Sequence, residues 1–544
     1  MQKAANGSNG AGGLPWPMSD RGQTRAPALS CAPYGRLDTC GAQTVARREI
    51  ISDQEHWLSP VHAWIFMSQN ALPLDIVIMA AGKGTRMKSK TPKVLQKLAG
   101  RALLQHVLDT AAQLQARSAV VITGHGAQEV EAAIAQGRSA SALDLKFVRQ
   151  EPQLGTGHAV QQAVPALADD GMVIVLSGDV PLTQAQTLQD LVTAADNRRM
   201  ALLTVTLDNP TGYGRIVRNA QGTVQRIVEQ KDANEQERAI NEIYSGIMAV
   251  PAKRLAQWLS QLNNDNAQGE YYLTDIVAMA VADGVEVVAH RISDEVQVAG
   301  VNSPLQLADL ERAHQLRQAR SLMEQGVRLA DPARFDVRDD VRGNAAQLVC
   351  AHDVEIDVGC IFTGKVEIGE GARIGAYCHI SNATIAAGAV VHPFTHIDGE
   401  KLGASVGEGA LIGPFARLRP GAQLGKEVHI GNFVEVKNST LADGAKANHL
   451  AYLGDATVGE RVNYGAGSIT ANYDGANKHR TVIEADVHVG SNCVLVAPVT
   501  IAAGGTIGGG STVTKNTEPG ALTVARGKQV SIANWKRPAK TPKS

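Results

Sequence analysis

The chain is 544 residues long, carries a formal net charge of −1, and is 44% hydrophobic but only 4% aromatic. A single core rarely grows past about 250–300 residues, so two or more domains are expected. The even charge balance argues against nucleic acid or an anionic membrane as a partner, and no apolar run approaches the roughly 18 residues that span a bilayer.

Residues 1–71 read as an unstructured extension: MQKAANGSNGAGGLPWP is rich in Gly, Asn and Pro, and no apolar period emerges before Asp75. The stretch has no apolar secretory core, and its acid-poor segment 21–48 bears only a faint likeness to a transit peptide. Met67 heads SQNALPLDIVIMAAGKG, a natural start for a domain. Residues 74–80 form an apolar run of strand length, followed by a Gly-rich turn. The segment 94–116 reads as helix, 119–123 and 172–176 as buried strands, 185–195 as helix and 202–207 as strand. Strands alternating with helices imply an α/β domain with a mostly parallel, Rossmann-like sheet over 72–303, whose ligands bind at the carboxyl ends of the strands. Residues 304–327 carry Leu305, Leu307, Leu310, Leu316 and Leu322 among many charges, which predicts a connecting helix.

Beyond it, from 328 to 520, the period changes. Val406, Ile412, Leu418, Leu424, Ile430 and Val436 recur every sixth residue, as do Ile483, Val489, Leu495, Ile501, Ile507 and Val513; Ile368, Ile374 and Ile380 form an earlier fragment. Six fits neither a strand's period of two nor a helix's 3.6. It fits a hexapeptide-repeat parallel β-helix, in which each hexad is one flat face with an inward apolar residue. Residues 521–544 read as a basic tail. The six cysteines, at 31, 40, 350, 360, 378 and 493, lack C-x-x-C spacing and read as small buried hydrophobes in a reducing cytoplasm.

Three stretches of the first domain carry chemistry. Gly82, Gly84, Thr85 and Arg86 fill the first strand-to-helix turn, and TPK ends at Lys93; such a turn either brings backbone N–H groups to phosphates or merely bends the chain. The spacing is neither that of a P-loop nor G-x-G-x-x-G. Asp179, closing LSGD, is suited to hold Mg²⁺ or to cap its own turn. Gln150 and QLGTGHA at 153–159 form a second Gly/Thr loop, fit to read a base or to turn the chain.

Together, MAAGKGTRMKSKTPKVL, QLGTGHA, SGDVPL, PTGYGRI, NNDNAQGEYYLTD and GVN resemble the sugar-1-phosphate nucleotidyltransferases. With GPFARLRPGA, GNFVEVKNS, NHLAYLGDA, VNYGAGSITANYDGANKH and VGSNCVLVAPV, the chain resembles the family of bacterial bifunctional N-acetylglucosamine-1-phosphate uridylyltransferases/glucosamine-1-phosphate acetyltransferases over about 72–538. The resemblance implies a left-handed β-helix and two sites. In the first, Ala80, Ala81, Gly82, Lys93, Gln150, Gly155, Thr156, Ser177, Gly178 and Asp179 bind UTP, and Gly214, Glu229 and Tyr244 contact the N-acetylglucosamine. Asp179 and Asn302 hold Mg²⁺, and Arg86 and Lys93 neutralise charge. The family often has Tyr where Ser177 stands and Asn where Tyr244 stands, which opens the question of that sugar contact. In the second, Arg419, Lys437, Tyr452 and Asn463 bind the phosphosugar and His449 is the general base. Ala466, Asn472, Tyr473, Ser491, Gly509 and Arg526 bind the co-substrate acetyl-CoA, with Asn472 orienting the imidazole or stabilising the oxyanion. Lys528, Lys536 and Arg537 attract the coenzyme's phosphates or form a solvated tail. The implied protein is a cytoplasmic homotrimer using UTP, glucosamine 1-phosphate, N-acetylglucosamine 1-phosphate and acetyl-CoA, feeding peptidoglycan and lipopolysaccharide synthesis. Two other readings compete with this one: a β-helix that only scaffolds trimers, and a metal hydratase built on histidines 379, 392, 396, 429 and 449.

Overall fold

A computed structural model describes residues 73–136 and 143–537. The extension 1–71 and the last residues of the basic tail lie outside the described residues. The first domain runs β1 (Leu74–Met79), β2 (Lys97–Leu98), β3 (Arg101–Ala102), α1 (Leu103–Ala112), β4 (Ser118–Thr123), α2 (Ala127–Gln136), β5 (Asp144–Arg149), α3 (Thr156–Ala163) and β6 (Met172–Ser177). It continues α4 (Ala185–Ala195), β7 (Met200–Thr206), β8 (Arg215–Arg218), β9 (Val224–Val228), α5 (Glu235–Arg238), β10 (Glu242–Pro251), α6 (Ala252–Ser260), α7 (Asp275–Ala282) and β11 (Val287–Ile292). The sheet order is β11-β7-β10-β6-β1-β4-β5, parallel except for β10, with β8 and β9 branching from β10. β1, β4 and β6 are nearly continuous apolar runs because both faces are covered by helices.

Residues 94–116 do not form one helix. A short 3₁₀ turn at Lys93–Leu95 leads into the β2–β3 hairpin, and only Leu103–Ala112 is helical. The hairpin's two-residue turn, Ala99–Gly100, has both φ angles positive (49° and 84°), a conformation that favours Gly and suits a tight hairpin. A Cβ on Gly100 would also lie 2.9 Å from the Asp339 carbonyl oxygen, so a close approach to the second domain is written into that glycine. Leu95, Leu98 and Leu103 are buried all the same.

The connecting helix α8 (Pro304–Glu324) is capped by Ser303 Oγ, which accepts from the Gln306 amide at 3.3 Å. The β-helix follows, with strands from Arg328 to Thr523, a few residues past the expected end. One face is an 11-stranded ladder; a 17-stranded ladder winds over the others, and the strands within both pair in parallel. Three hexads make one coil: Val406 pairs with Leu424, Ile412 with Ile430 and Leu418 with Val436, each eighteen residues on. These six are buried, stacking the interior without space for large rings. Residues 472–480 interrupt the period as an inserted loop, which is why Val458 pairs with Ile483, twenty-five residues ahead.

At one corner of the coils, Tyr377, Phe394, Phe415 and Phe433 stack ring on ring with centroids 5.4, 5.1 and 5.4 Å apart. Each is about half exposed and in the left-handed backbone region, and Leu450 continues the line. Cys360, Cys378 and Cys493 are buried, as expected, and Cys350 half-buried; burial pushes the Cys350 and Cys360 thiols up to about 12 and Cys378 to about 11. No helix among the described residues is long and apolar enough to cross a membrane.

Candidate active sites

The first site lies at the carboxyl ends of β1 and β6. Met79, Ala80, Ala81, Gly82, Lys83, Lys93, Gln150, Gln153, Gly155, Thr156, Ser177, Asp179 and Glu270 line a cavity of about 440 Å³. The parallel sheet fans its strand ends apart there, and the loops fill the gap. Gly178 N–H donates to the Met79 carbonyl at 2.9 Å, tying the two loops together. Gly155 has φ 111°, and a Cβ there would lie 2.6 Å from the Tyr271 carbonyl oxygen; no other residue fits. Thr156 Oγ1 accepts from Leu273 N–H, and the Gln150 amide donates to the Gly155 carbonyl at 2.9 Å, so both hold the loop's shape as well as the cavity wall.

Lys93 Nζ lies 2.5 Å from Asp179 Oδ2 and 3.2 Å from Asn302 Oδ1. The two oxygens, 123 residues apart in sequence, therefore converge on one point of positive charge. Two protein oxygens beside that cavity fit Mg²⁺, which keeps few protein ligands and completes its shell with water and phosphate.

Several expected members stand elsewhere. Arg86 is exposed on the Thr85–Met87 turn and does not line the cavity; Lys83, one step inside the same Gly-rich loop, does. Gly214, Glu229 and Tyr244 form a separate buried group beyond the lining. Gly214 carbonyl accepts from Tyr244 N–H at 2.9 Å, and Glu229 accepts from Thr274 Oγ1 at 3.0 Å. Burial, with Asp275 and Asp232 nearby, raises the Glu229 carboxyl above its usual range. The Tyr244 hydroxyl is buried without a partner, and burial together with Glu229 pushes its phenol well up.

The second constellation is spread along the β-helix. On the 17-stranded ladder, Arg419 Nη1 donates to Glu435 Oε1 at 2.8 Å, and Glu435 pairs in register with Tyr452. Lys437, on the same strand as Glu435, has its ammonium held below the usual range by the neighbouring Lys478, by burial and by Arg419. Lys478, within the motif VNYGAGSITANYDGANKH but not singled out there, comes back from the inserted loop to Lys437, so that three cations gather beside Glu435. Asn463 and His449 lie on the other, 11-stranded ladder. The structure thus divides the expected residues between two faces.

His449 is exposed at the end of its strand, next to Leu450 of the aromatic corner. Its Nδ1 is 3.0 Å from Asn432 Oδ1, its register partner one coil below. Asn472, expected to orient the imidazole or to stabilise the oxyanion, is buried and donates to Asp455, and the side chain that meets the ring is Asn432. Phe415, Phe433, Asn432, Asn448 and His449 line an open depression of about 580 Å³. Above it runs a ladder of contacts to backbone carbonyls: Gly467 N–H to His449 O, Asn492 N–H to Ala466 O, Gly510 N–H to Ser491 O, and the Arg526 side-chain Nη1 to Gly509 O at 2.7 Å. Ala466, Ser491, Gly509 and Arg526 therefore follow one line up the coils. Tyr473 is exposed on the inserted loop, its hydroxyl on the Gly475 carbonyl. The hydratase pattern does not assemble: His379 and His396 stack on each other, and no three metal-binding side chains cluster among the described residues.

A Rossmann-like cleft with a cation point, joined to a hexapeptide β-helix bearing a histidine in a groove, defines a nucleotidyltransferase fused to an acyltransferase. The MobA-like NTP transferase domain family matches residues 76–329, and the bacterial transferase hexapeptide (six repeats) family matches 403–438. Bifunctional protein GlmU of Acidovorax ebreus (strain TPSY) is 81% identical over 472 residues, covering 86% of this chain and 99% of that one. The GlmU proteins of Paracidovorax citrulli (strain AAC00-1), 77% over 473 residues, and Azoarcus sp. (strain BH72), 56% over 467, cover 87% and 86% of this chain and 99% and 100% of their own. The chain belongs to the GlmU family of bifunctional enzymes, whose two transferase activities make UDP-N-acetylglucosamine in two steps.

Proposed function

We propose that residues 72–303 carry uridylyl transfer and residues 328–520 carry acetyl transfer, with the helix 304–327 between them. In the second domain Arg419, Lys437, Lys478, Tyr452 and Asn463 hold the phosphate and hydroxyls of glucosamine 1-phosphate. His449 Nε2 removes a proton from the 2-ammonium group, Nδ1–H being held by Asn432. The freed amine attacks the acetyl-CoA thioester carbonyl, the C–S bond breaks, and coenzyme A leaves as the thiol. Ala466, Ser491, Gly509 and Arg526 line the coenzyme's path, with Tyr473 and Asn472 at the inserted loop.

In the first domain a phosphate oxygen of N-acetylglucosamine 1-phosphate attacks the α-phosphorus of UTP, and the bond to the β-phosphate breaks, releasing pyrophosphate. Asp179 and Asn302 would hold Mg²⁺, which supplies charge neutralisation at the reacting phosphates. Lys93, whose ammonium already reaches both oxygens, and Lys83 add positive charge; alignment does the rest, without a protein nucleophile. Glu229, Gly214 and Tyr244 contact the sugar.

The protein acts as a cytoplasmic homotrimer with acetyltransferase sites shared between neighbours. Support comes from the half-exposed aromatic ladder beside His449, which a second copy would cover, and from the placing of Lys437 and Tyr452 on a different ladder from His449 and Asn463. The observation that carries the two-site reading is the distance in architecture between the Lys93–Asp179–Asn302 point and the His449–Asn432 pair, on different domains. His449→Ala is expected to abolish thiol release from acetyl-CoA while pyrophosphate release from UTP persists, and Asp179→Ala to do the reverse. Loss of both activities in either well-folded variant would overturn it.

A further inference from the structure

The cation point depends on three loops, and two of them run straight into one clamp. Lys93 sits in the turn that feeds the 97–102 hairpin: Gln96 N–H donates to the Lys93 carbonyl at 3.1 Å. Asn302 immediately precedes α8, and its N–H donates to Gln306 Oε1 at 2.9 Å. The hairpin tip docks on both α8 and the first coil of the β-helix. Ala99 N–H donates to Glu311 Oε2 of α8 at 2.6 Å, and Asp339 N–H donates to the Ala99 carbonyl at 2.9 Å. Arg101 grips Asp339 with two bonds, 2.8 and 3.2 Å, and Asp109 with a third. Gln315 of α8 closes the joint by exchanging two bonds with the Val337 backbone.

Beneath the clamp lies a small apolar cluster of its own: Met87, Leu98, Ala99, Leu103, Leu182, Val301 and Leu310. Leu98 and Ala99 follow Lys93 in the chain, Leu182 follows Asp179, and Val301 precedes Asn302. Val301 N–H also donates to the Asp179 carbonyl at 2.9 Å. A shift of the hairpin is therefore transmitted by close packing to all three residues of the cation point, because such a cluster does not deform smoothly.

We propose that Arg101, Asp339 and Glu311 are positioning residues for uridylyl transfer, so that the first coil of the β-helix holds Lys93 and Asn302 at the spacing at which they meet Asp179. This rests on the cleft reading given above, and makes the second domain part of the first site's framework. None of the three touches substrate; they act through the hairpin and α8.

In the full-length protein, Arg101→Met is expected to raise the Mg²⁺ concentration for half-maximal uridylyl transfer by roughly 2- to 30-fold, the range over which residues in a coupled network shift a remote site. Thiol release from acetyl-CoA should stay at the parent rate. Amide hydrogen exchange over 93–98 and 299–303, read in metal-free protein, should quicken in the same variant. Glu311→Gln keeps an acceptor for the Ala99 amide and should resemble the parent, whereas Glu311→Leu should follow Arg101→Met. If Arg101→Met misfolds, Arg101→Lys, which keeps the charge but not the two-pronged contact, carries the same expectation. Parent-like Mg²⁺ dependence and exchange in Arg101→Lys and Glu311→Leu would overturn the proposal. The exchange readout needs no catalysis, so it stands apart from the cleft reading, which falls instead if Asp179→Ala still releases pyrophosphate.

Discussion

The two halves of this chain build sites in opposite ways. In the α/β domain, loops from distant parts of the sequence converge: Lys93, Asp179 and Asn302 meet at one point, Lys93 and Asp179 also lining the cavity. In the β-helix each coil adds a residue beside the one before, so His449, Ala466, Ser491 and Gly509 form a line, and the cationic patch lies on another face. A solenoid makes grooves and stripes by repetition, and a closed pocket then needs a second surface. The difference teaches that converging loops can gather a site's polar groups at one point of one chain, while a repeat leaves them strung along an open groove; the shared trimer site proposed above would supply the missing wall.

The sharpest way to break that contrast is to remove the neighbour. Phe415→Asp with Phe433→Asp places two carboxylates in the aromatic ladder and should give monomers by light scattering. Acetyl transfer should be lost, with uridylyl transfer retained. Mixing His449→Ala with Lys437→Ala protein, after subunit exchange, should restore acetyl transfer if the two faces come from different copies. A mixture as inactive as its components would place the whole site in one chain.

The joint between the domains gives the next largest effect. His106 and His314 meet edge to face, ring centroids 5.7 Å apart. Burial and His106 lower the His314 pKa to about 4, with Arg317 and Arg101 acting in the same direction and Glu311 opposing. A histidine whose folded pKa is depressed leaves stability intact above its unfolded value of about 6.5 and loses it as pH falls toward 4. The loss should approach about 3 kcal/mol. His314→Phe should flatten the melting temperature between those pH values; an unchanged profile would mean the ring is hydrated.

Much of this was legible beforehand, for unequal reasons. The hexads named the β-helix because each position faces the interior on its own account, independent of distant sequence. The helix Ala185–Ala195 and the buried strands were equally local. The 97–102 hairpin was not, because Leu98 and Leu103 keep the same burial in helix or hairpin, and the choice was made by Asp339 and Glu311 far along the chain. Motifs located Lys93, Asp179, Asn302 and His449, but Asn432 and Lys478 emerged only from register and from the inserted loop. Arg86 had the right charge in the right loop, yet it is exposed and does not line the cavity.

Tyr244 tests how closed the first site is. Its hydroxyl is buried with no partner in the free protein, and Glu229 stands close enough to perturb it. An unsatisfied buried hydroxyl costs about 1–3 kcal/mol, so Tyr244→Phe should melt higher. If that hydroxyl contacts N-acetylglucosamine, the same variant should show a raised KM for the sugar phosphate at an unchanged KM for UTP. Higher stability with an unaltered sugar KM would make Tyr244 a packing residue only.

Asn432 asks the matching question of the open groove, where solvent competes for every contact. Its Oδ1 accepts from Nδ1–H of His449, which leaves Nε2 with a free lone pair, the one that the proposed acetyl transfer uses. Asn432→Leu removes one hydrogen bond at an exposed position, worth about 1 kcal/mol or roughly fivefold in kcat, with the KM for acetyl-CoA unchanged. Asn432→Asp keeps the acceptor but sets a carboxylate beside the ring, which favours the imidazolium. The base must be neutral to work, so the acid limb of the acetyl-transfer pH profile should move to higher pH, while the rate on its plateau stays near the parent. An Asn432→Asp profile that coincides with the parent's would mean that the imidazole turns freely in the groove and takes its orientation from the substrate.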